Sequence, residues 1–394
     1  MFETNEIKNQ KSKIKNLKIL FLTENYPPQR GGMAVSCDRI VRGLRENGVK
    51  VDVAHFSTRY LRWKVEQKIN GNQICCPVRE DVAHSINRLW TILENLNESY
   101  THVVAFGGLL PMMASPVFAA WLEVPLITLI RGNDFDAGIF SLKRGDILRD
   151  ALEKSAAICA VSKDKVEKIG KLFPDTKTFW TPNGISLKDW EFSQEDLDFA
   201  RNWRETNLLE GQKVLGFFGQ LKRKKGGLFF LENLLRSRLA NKFHLLLIGD
   251  AEPEMHDWLE KHREEVSFST LPFLDRYELL PYYAACHFVV IPSFYDGMPN
   301  VLLESAALGI PSISANTGGM RDVLEDGKTA ILFEASNDYD CRQAITKAAE
   351  ISAEDFQNLS KNCLELAKEY NPQAEAERYL QIFSETIKKR SHYA

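Results

Sequence analysis

The stretch IPSFYDGMPNVLLESAALG (residues 291–309) decides the fold, because it passes from strand to loop to helix within a few residues. Its first residues continue an apolar run that is typical of a buried strand, and a loop follows as far as Gly297, Met298 and Pro299. Proline is favoured at an early helix position, so a helix is expected to start at or near Pro299. The N–H groups at such a helix start attract phosphate. The stretch therefore predicts an α/β unit with an anion-binding edge.

Two carboxylates belong to this stretch, Asp296 in the loop and Glu304 on the predicted helix. A carboxylate at the edge of a parallel sheet can accept hydrogen bonds from the hydroxyls of a sugar or a ribose. For either residue alone, an exposed capping aspartate or a solvated glutamate is the favoured explanation. The polar loops that are expected nearby favour a binding site.

Two further loops belong to the same predicted edge. The run GQLKRKKG (219–226) follows an apolar strand and contains four consecutive cations, and the pair Gly318-Gly319 follows another strand. A run of cations is usually a solvated face. Beside a helix start that binds phosphate, however, it would lie where a diphosphate leaving group sits.

Short apolar runs alternate with amphipathic helical stretches through both halves of the chain, which predicts parallel sheets covered by helices on both faces. The fold class is therefore α/β, with two doubly wound, Rossmann-like domains facing a central cleft that holds the ligand. Boundaries are expected at residues 1–185, 186–372 and 373–394, the last being a helix that returns towards the first domain, and the polar stretch 181–190 is taken as a hinge. Strands are expected at 18–23, 49–56, 102–106, 125–130 and 156–161, and then at 213–218, 243–248, 266–268, 287–291, 312–314 and 330–333.

The first predicted strand ends in TENYPPQRGG (23–32), and a helix follows directly. Paired glycines in that position let backbone N–H groups approach an anion. Gly31 and Gly32 are thus candidates for phosphate contact, although a tight turn alone would also need them.

Composition excludes several classes of protein. The chain has 394 residues with 50 basic and 53 acidic side chains, a balance that argues against a general nucleic-acid binder. Its seven cysteines include an adjacent pair, Cys75-Cys76, and form no metal-binding spacing, so a reducing, cytoplasmic setting is expected. The uncharged stretch 103–122 contains glycines and prolines and is interpreted as strand, turn and buried helix rather than a membrane span. The basic residues among the first 18 are a solvated tail or a peripheral contact with the inner face of a membrane.

In combination these motifs resemble one known family. The segment PSFYDGMPNVLLESAALGIPSISANTGGMRDVLEDGKTAILF (292–333) is similar to the hallmark of the family-four retaining glycosyltransferases of GT-B fold, in which an acidic residue is followed after seven positions by glutamate, then by a G-I-P strand and a Gly-Gly turn. Supporting matches are YPPQRGG, FGQLKRKKG, TPNGIS and LIGDAEP, in that family's order.

The resemblance implies a role for each matching residue. Lys225 matches the lysine that neutralises the donor diphosphate, Glu304 the glutamate that binds the donor ribose, and Asp296 the acidic residue near the donor sugar. Backbone groups at Gly31 and Gly32 and in the loop around Gly249 would lie beside the donor. The remaining donor-binding positions that the resemblance implies are Gly219, Gln220, Gly297, Met298, Pro299, Asn300 and Val301.

The chain departs from the family pattern at several positions. Asp296 stands where glutamate is usual, Gln220 where an arginine is common, and Ala251 where a glycine is common. After the fourth predicted strand the family commonly has H-G-x-D, whereas this chain has Arg131, Gly132, Asn133 and Asp134. Arginine stays protonated and cannot act as a base, but it can bind an anion. Arg131 is therefore expected to act in catalysis by binding an anion, with Arg131, Asn133 and Asp134 on the acceptor side.

The expected activity is retaining transfer of a sugar from a nucleoside-diphosphate-sugar to a hydroxyl of a glycan, lipid-linked or small-molecule acceptor. No cofactor and no metal are expected, although the strings at 134–136 and 338–340 have the D-x-D pattern of some metal sites. Two alternatives stay open. One is another GT-B enzyme, such as a nucleotide-sugar 2-epimerase or a phosphorylase, and the other is a binding module without catalysis.

Overall fold

A computed structural model describes residues 16–79 and 81–387 of the protein. It consists of two compact units, one formed by the chain up to Asn183 together with the segment from Pro372, and the other by Gly184–Asn371. The basic N-terminal segment for which membrane attraction is predicted lies almost entirely outside the described residues, as do the last residues of the expected terminal helix.

Unit 1 is built on an eight-stranded sheet in the order β3-β4-β2-β1-β5-β6-β7-β8, in which only the β3–β4 pair is antiparallel. Its strands are β1 Lys18–Thr23, β2 Lys50–Ser57, β3 Lys64–Lys68, β4 Gly71–Pro77, β5 His102–Phe106, β6 Leu126–Ile130, β7 Ser155–Ala160 and β8 Lys177–Trp180. Its helices are α1 Gly32–Glu46, α2 Val82–Leu96, α3 Leu109–Trp121, α4 Asn133–Asp136, α5 Gly145–Glu153, α6 Lys163–Leu172 and, from the end of the chain, α15 Pro372–Thr386.

The alternation of side chains along β1 explains why helices cover both faces of this sheet. Leu20 and Leu22 join one hydrophobic core, and Ile19 and Phe21 join a second core on the other side. Successive strand residues point to opposite faces, so a strand of six buried residues needs cover on each. The second core also contains Phe383 of α15, so the terminal helix covers part of one face of unit 1.

Unit 2 has a six-stranded, wholly parallel sheet in the order β11-β10-β9-β12-β13-β14. Its strands are β9 Lys213–Phe218, β10 Phe243–Ile248, β11 Ser267–Leu271, β12 Phe288–Ile291, β13 Ser312–Ala315 and β14 Ala330–Phe333. Its helices are α7 Gln194–Asn207, α8 Gly227–Arg236, α9 Pro253–Lys261, α10 Arg276–Ala285, α11 Asn300–Ala307, α12 Gly318–Arg321, α13 Asp338–Glu350 and α14 Ala353–Glu369, with single 3-10 turns at Leu187–Asp189, Arg223–Lys225 and Ala240–Lys242.

The predicted fold class, two doubly wound parallel-sheet α/β domains, is confirmed. The stretch 103–122 forms strand β5, a glycine turn and the buried helix α3, as the sequence predicts. Among the described residues, none of the helices is both long enough and apolar enough to cross a membrane.

Candidate functional site

Four neighbouring strands of unit 2 end at one edge of the sheet, and the loops that follow them pack side by side. In the loop after β9, the N–H of Leu221 donates to the carbonyl of Asp250 after β10, at 2.9 Å. On its other side, the N–H of Phe294 after β12 donates to the carbonyl of Lys224, at 3.2 Å. Three loops that are distant in sequence therefore form one continuous polar edge.

Glycines allow these loops to approach one another. Gly226 has φ 68°, and a Cβ there would lie 1.9 Å from the carbonyl oxygen of Pro292. A Cβ at Gly318 or Gly319, after β13, would lie equally close to the carbonyl oxygen of Asp296 or Gly297, at 1.9 Å in each case. Any larger residue at these positions would push the loops apart, so the glycines fix the geometry of the edge.

The central pair at this edge is Lys225 and Asp296, whose side chains form an ion pair and are 32% and 17% exposed. The second carboxylate oxygen of Asp296 accepts the N–H of Gly297 at 2.8 Å. Burial first, and then the neighbouring charge of Lys225, lower the pKa of Lys224, although the charge of Asp296 acts in the opposite direction. Two lysines here accompany one carboxylate. The edge is therefore suited to an anion.

Glu304 lies half-buried on α11 and accepts a hydrogen bond from the hydroxyl of Tyr283 at 2.9 Å. Tyr283 is fully buried and stacks on Phe218, the last residue of β9, with 3.9 Å between ring centroids. Burial first, and then the Glu304 charge, raise the pKa of Tyr283 well above its usual range, so the phenol stays a donor. This tyrosine was missed in the sequence, where it appears only as one aromatic residue of a helix.

Helix α11 begins at Asn300, within one residue of the expected position. Pro299 is its N-cap, with an extended ψ of 137°, and Asn300 is the first helical residue, followed by a half-buried Val301. Met298 is buried at 4% exposure. The helix start expected at or near Pro299 is thus confirmed, with the loop extended through the proline.

The other predicted donor-binding residues differ in how far their side chains are exposed to solvent. The N–H groups of Gly219 and Gly249 continue the sheet by donating to the carbonyls of Ile248 and Leu271, at 2.9 and 3.1 Å. Gln220 is exposed, as are Lys222 and Arg223. Whether these cations compensate for the glutamine at position 220 stays a hypothesis.

In unit 1, the predicted glycines lie at the start of α1. Gly31 is its N-cap with φ 114°, a conformation that favours glycine, and a Cβ there would meet no atom of the described structure within 4 Å. Gly32 is the first helical residue. As a glycine, Gly31 supplies no side-chain cap for this helix. The phosphate contact of Gly31 and Gly32 stays a prediction.

Arg131 lies in a different environment from the one that the sequence suggests. It is 5% exposed, and its Nη1 donates to the carbonyl of Thr181 and to the hydroxyl of Tyr379, both at 2.9 Å. Its Nη2 donates to Asn183 and lies 3.6 Å from the carboxylate of Glu375. Both terminal nitrogens of the guanidinium therefore have partners within unit 1, and the anion-binding role of Arg131 stays a prediction.

A second arginine completes this buried cluster. Arg39, 8% exposed, donates from Nε to Glu375 at 2.6 Å and from Nη2 to Asn183 at 2.7 Å. Two guanidinium groups therefore share the carboxylate of Glu375, which belongs to helix α15. The sequence signalled none of these partners, because they come from three separate parts of the chain.

The carboxylate of Asp134 also has its hydrogen-bond partners within its own loop. Its carboxylate accepts the N–H groups of Arg131, Gly132 and Phe135, at 3.0, 2.8 and 3.1 Å, and so closes the loop into α4. Burial raises its pKa. Asn133 is the first residue of α4. The predicted acceptor-side role of Asp134 therefore competes with a structural one.

The carboxylates of the two D-x-D strings have other partners. Asp136 pairs with the buried Lys165 at 2.8 Å. Asp338 accepts from the side-chain amide of Asn233 at 2.8 Å, and Asp340 accepts the N–H of Glu334 at 2.7 Å. In the described part of the chain, no group of three histidine, cysteine or acidic side chains could hold a metal ion. All seven cysteines are buried free thiols.

Comparison with known families agrees with this architecture. Residues 30–189 match the model described as Glycosyltransferase Family 4, and residues 212–350 match the model of Glycosyl transferases group 1. An uncharacterised glycosyltransferase of Methanocaldococcus jannaschii is 25% identical over 341 residues, which cover 78% of this chain and 83% of that protein. A 2-deoxystreptamine N-acetyl-D-glucosaminyltransferase of Niallia circulans is 23% identical over 259 residues, 62% of this chain and 65% of that one.

Solved structures share the fold at low sequence identity. The sucrose-phosphate synthase of Thermosynechococcus elongatus has a TM-score of 0.76 and 18% identity over 94% of this chain and 99% of that one. The Anabaena protein HepE in complex with UDP-glucose has a TM-score of 0.75 and 16% identity over 94% of this chain and 100% of that one. Because glycosyltransferase models match both halves of the chain in order, and each half forms a parallel-sheet α/β unit, the chain belongs to the family-four glycosyltransferases of GT-B fold.

Proposed function

We propose that this glycosyltransferase moves a sugar from a nucleoside-diphosphate-sugar to an acceptor hydroxyl with retention of configuration and without a metal ion. The observation that carries the proposal is the partly exposed ion pair of Lys225 and Asp296. It lies at the edge of the unit 2 sheet where glycines let the loops approach one another. The acceptor is a sugar, a lipid-linked molecule or a small molecule.

The donor assignment rests on charge. Lys224 and Lys225 together outnumber the single carboxylate of Asp296, so the edge attracts a diphosphate. A bound diphosphate would form an ion pair with Lys225 and partly replace Asp296 as its partner. The likeness in fold to HepE, which was solved with UDP-glucose, is consistent with a nucleotide-sugar donor.

Each acidic side chain has a distinct task under this proposal. Glu304, held by the Tyr283 hydroxyl at 2.9 Å, binds the ribose hydroxyls of the donor. Asp296 binds hydroxyls of the transferred sugar. Both contacts are charge-assisted hydrogen bonds, which are shorter and stronger than neutral ones.

Leaving-group stabilisation supplies most of the catalysis. The diphosphate departs with negative charge while positive charge builds on the anomeric carbon, so Lys225 stabilises the transition state more than the ground state. Each 1.36 kcal/mol removed from the barrier accelerates transfer tenfold.

Retention is proposed to occur by attack of the acceptor on the same face that the diphosphate leaves. A double displacement needs a carboxylate that is available to attack the anomeric carbon. Asp296 is assigned to hydroxyls of the transferred sugar under this proposal, and one of its oxygens accepts the N–H of Gly297 at 2.8 Å. That engagement favours front-face attack over a covalent intermediate.

The experiment has two stages. A thermal-shift screen against UDP-, GDP-, ADP- and TDP-sugars identifies the donor, because a ligand of the native state raises its stability. Nucleotide release is then measured with a panel of acceptors, with and without excess EDTA. We expect acceptor-dependent release that EDTA does not affect. Loss of release in EDTA and recovery with Mn²⁺ would overturn the metal-free proposal.

The same assay separates the alternatives. A 2-epimerase would convert the donor without an acceptor, and a phosphorylase would require inorganic phosphate and release no nucleotide. A binding module would give a thermal shift with no release for any acceptor, which would contradict the proposed function.

A further inference from the structure

A carboxylate of unit 1, Glu24, follows the central strand β1 and has no part in the donor chemistry or in the buried arginine cluster. In the order of strands, β1 lies between β2 and β5. From β1 the chain passes through α1 to β2 on one side, whereas β5, on the other side, leads into α3. In an open parallel sheet, ligands bind outside the carboxyl ends of the strands at such a point.

The helices that follow β1 and β5 cover opposite faces of the sheet. Helix α1 contributes Ile40 to the core that contains Phe21, whereas α3 contributes Phe118 to the core that contains Leu22. The two helices therefore diverge from neighbouring strand ends, and a crevice lies between their N-termini. Glu24 is located in this crevice, because it is the first residue after β1.

A local turn and a glycine hold Glu24 in place. The hydroxyl oxygen of Thr23 accepts the N–H of Asn25 at 2.8 Å, which fixes the backbone on both sides of Glu24. Gly108, the N-cap of α3, has φ 91°, and a Cβ there would lie 2.5 Å from Oε2 of Glu24. The carboxylate therefore lies against the main chain at the start of α3, where a larger residue than glycine would displace it.

The two oxygens of this carboxylate differ in their partners. Oε1 accepts the N–H of Leu110, in the first turn of α3, at 2.7 Å. Of the residues that the structure describes, no other donates a hydrogen bond of normal geometry to the carboxylate, although the N–H of Leu109 also faces it. Glu24 is half-buried, so Oε2 can accept a hydrogen bond from a ligand.

The surroundings of Glu24 strengthen such a bond. Burial raises the pKa of Glu24, whereas the N–H of Leu110 and then the charge of Arg144 lower it. Arg144 is exposed and directly precedes α5. The carboxylate thus lies in a partly desolvated place within the field of a cation. A hydrogen bond to a charged group is stronger there than in water.

We propose that Glu24 binds a hydroxyl of the acceptor through Oε2 and so selects acceptors that present a hydroxyl at that position. The inference rests on the proposed function, because glycosyl transfer needs a second binding site besides the donor edge of unit 2. A carboxylate accepts charge-assisted hydrogen bonds from hydroxyls and is repelled by phosphate or carboxylate groups. An acceptor without that hydroxyl would leave Oε2 unsatisfied, which is how a polar site rejects an analogue.

The variant Glu24→Gln separates binding of the acceptor from capping of α3. Its amide oxygen can still accept the N–H of Leu110, but an NH2 group takes the place of Oε2 and donates where the carboxylate accepts. With saturating donor, we expect the KM for the acceptor to rise at least about tenfold. The KM for the donor, kcat and the thermal midpoint should not change, because the lost contact is to the bound acceptor.

The probes are methyl glycosides of glucose, galactose, mannose and N-acetylglucosamine, and nucleotide release is measured against their concentration. Monodeoxy analogues of the best probe then locate the contact. For the unmodified protein, one analogue should have a KM at least about tenfold above that of its parent glycoside. For Glu24→Gln, the same analogue should differ from its parent by less than about twofold, because the contact is already absent. A residue that only caps a helix would not produce this coupling.

The matched control is Glu94→Gln. Glu94 is an exposed glutamate of the same unit, close to the end of α2. This variant removes one negative charge without touching the crevice, so the KM for the acceptor should equal that of the unmodified protein.

Two outcomes would overturn the inference while the proposed function stands. One is a KM for the acceptor that is the same in Glu24→Gln and in the control, which would leave Glu24 as a cap of α3. The other is an equal loss for every deoxy analogue in the variant and in the unmodified protein. Absence of nucleotide release from the unmodified protein with any acceptor would instead contradict the proposed function, and this inference with it.

Discussion

Each unit of this protein places a cation and a carboxylate near the carboxyl ends of its strands, but in opposite environments. In unit 1, Arg39 and Arg131 are 8% and 5% exposed and share Glu375, itself 2% exposed. In unit 2, the side chains of Lys225 and Asp296 are 32% and 17% exposed. The charged groups of unit 1 are buried against one another, while those of unit 2 are accessible to solvent.

The difference teaches how to separate structural charges from functional ones. A buried cation must be paired and hydrogen-bonded, and its removal leaves an uncompensated charge. A partly exposed pair contributes little to stability and can exchange its partner for a ligand. Variants in unit 1 should therefore change stability, and variants in unit 2 should change activity.

The largest effect is expected for Glu375→Ala. Two buried guanidinium groups lose their shared carboxylate, which should lower the free energy of unfolding by about 3–5 kcal/mol. Urea denaturation measures the change. The matched control is Glu377→Ala, an exposed glutamate of the same helix. A loss no greater than that of the control would remove the distinction between the two units.

Lys225→Ala should lower the rate of transfer by ~10²–10³, equivalent to about 3–4 kcal/mol of barrier, because the leaving diphosphate loses its cation. Stability should change little, since the pair is partly exposed. Lys222→Ala, an exposed lysine of the same loop, is the control for general charge. Similar rates for the two variants would show that Lys225 has no specific role.

Acid should destabilise both units. Burial lowers the pKa of His55, His102 and His244 from 6.5 to about 4. The unfolded chain therefore binds more protons than the folded protein between pH 6.5 and 4, so stability is full above pH 6.5 and falls below it. At pH 5 the loss is about 2 kcal/mol for each histidine.

Urea denaturation at pH 7 and pH 5 measures this loss. The variant His102→Gln should reduce the loss between pH 7 and pH 5 by about 2 kcal/mol, whereas His84→Gln, at an exposed position on α2, should leave it unchanged. An equal pH dependence in both variants would contradict the assignment.

The smallest effect is expected for Tyr283→Phe. The variant removes the hydroxyl that holds Glu304 at 2.9 Å and keeps the buried ring. We expect the KM for the donor to rise about fivefold, or ~1 kcal/mol, with little change in kcat, because the hydroxyl orients a ribose contact. Tyr282→Phe is the control, and a change in kcat alone would place Tyr283 in a different role.

Strands with strong apolar runs were predictable from the sequence. The bounds of five strands agree with the expected ranges, namely those of β1, β5, β9, β10 and β14. Strands of a parallel sheet that is covered on both faces are almost continuous apolar runs, so such runs mark their limits clearly. The hairpin of β3 and β4 was missed because β3, KVEQK, is exposed on both faces. Helix α14 was missed although Ser352 and its buried Leu359, Cys363 and Ala367 follow helical spacing.

The sequence predicted the candidate site only at residues that belong to recognisable sequence motifs. Lys225 and Asp296 belong to two such motifs, and the structure brings them together. The partners of Arg131 were not predictable, because an arginine gives no local sign of its contacts and Tyr379 lies 248 residues further along the chain. Tyr283 supports Glu304 from another helix, a relation that only the folded chain makes visible.

The most direct test of the central claim is a crystal structure of the protein with the nucleoside diphosphate that the thermal-shift screen identifies. The account predicts diphosphate oxygens in contact with the Lys225 ammonium, ribose hydroxyls on the Glu304 carboxylate, and Arg131 still bound to Asn183 and Tyr379. A diphosphate bound by Arg131, or bound away from Lys225 and Glu304, would contradict it.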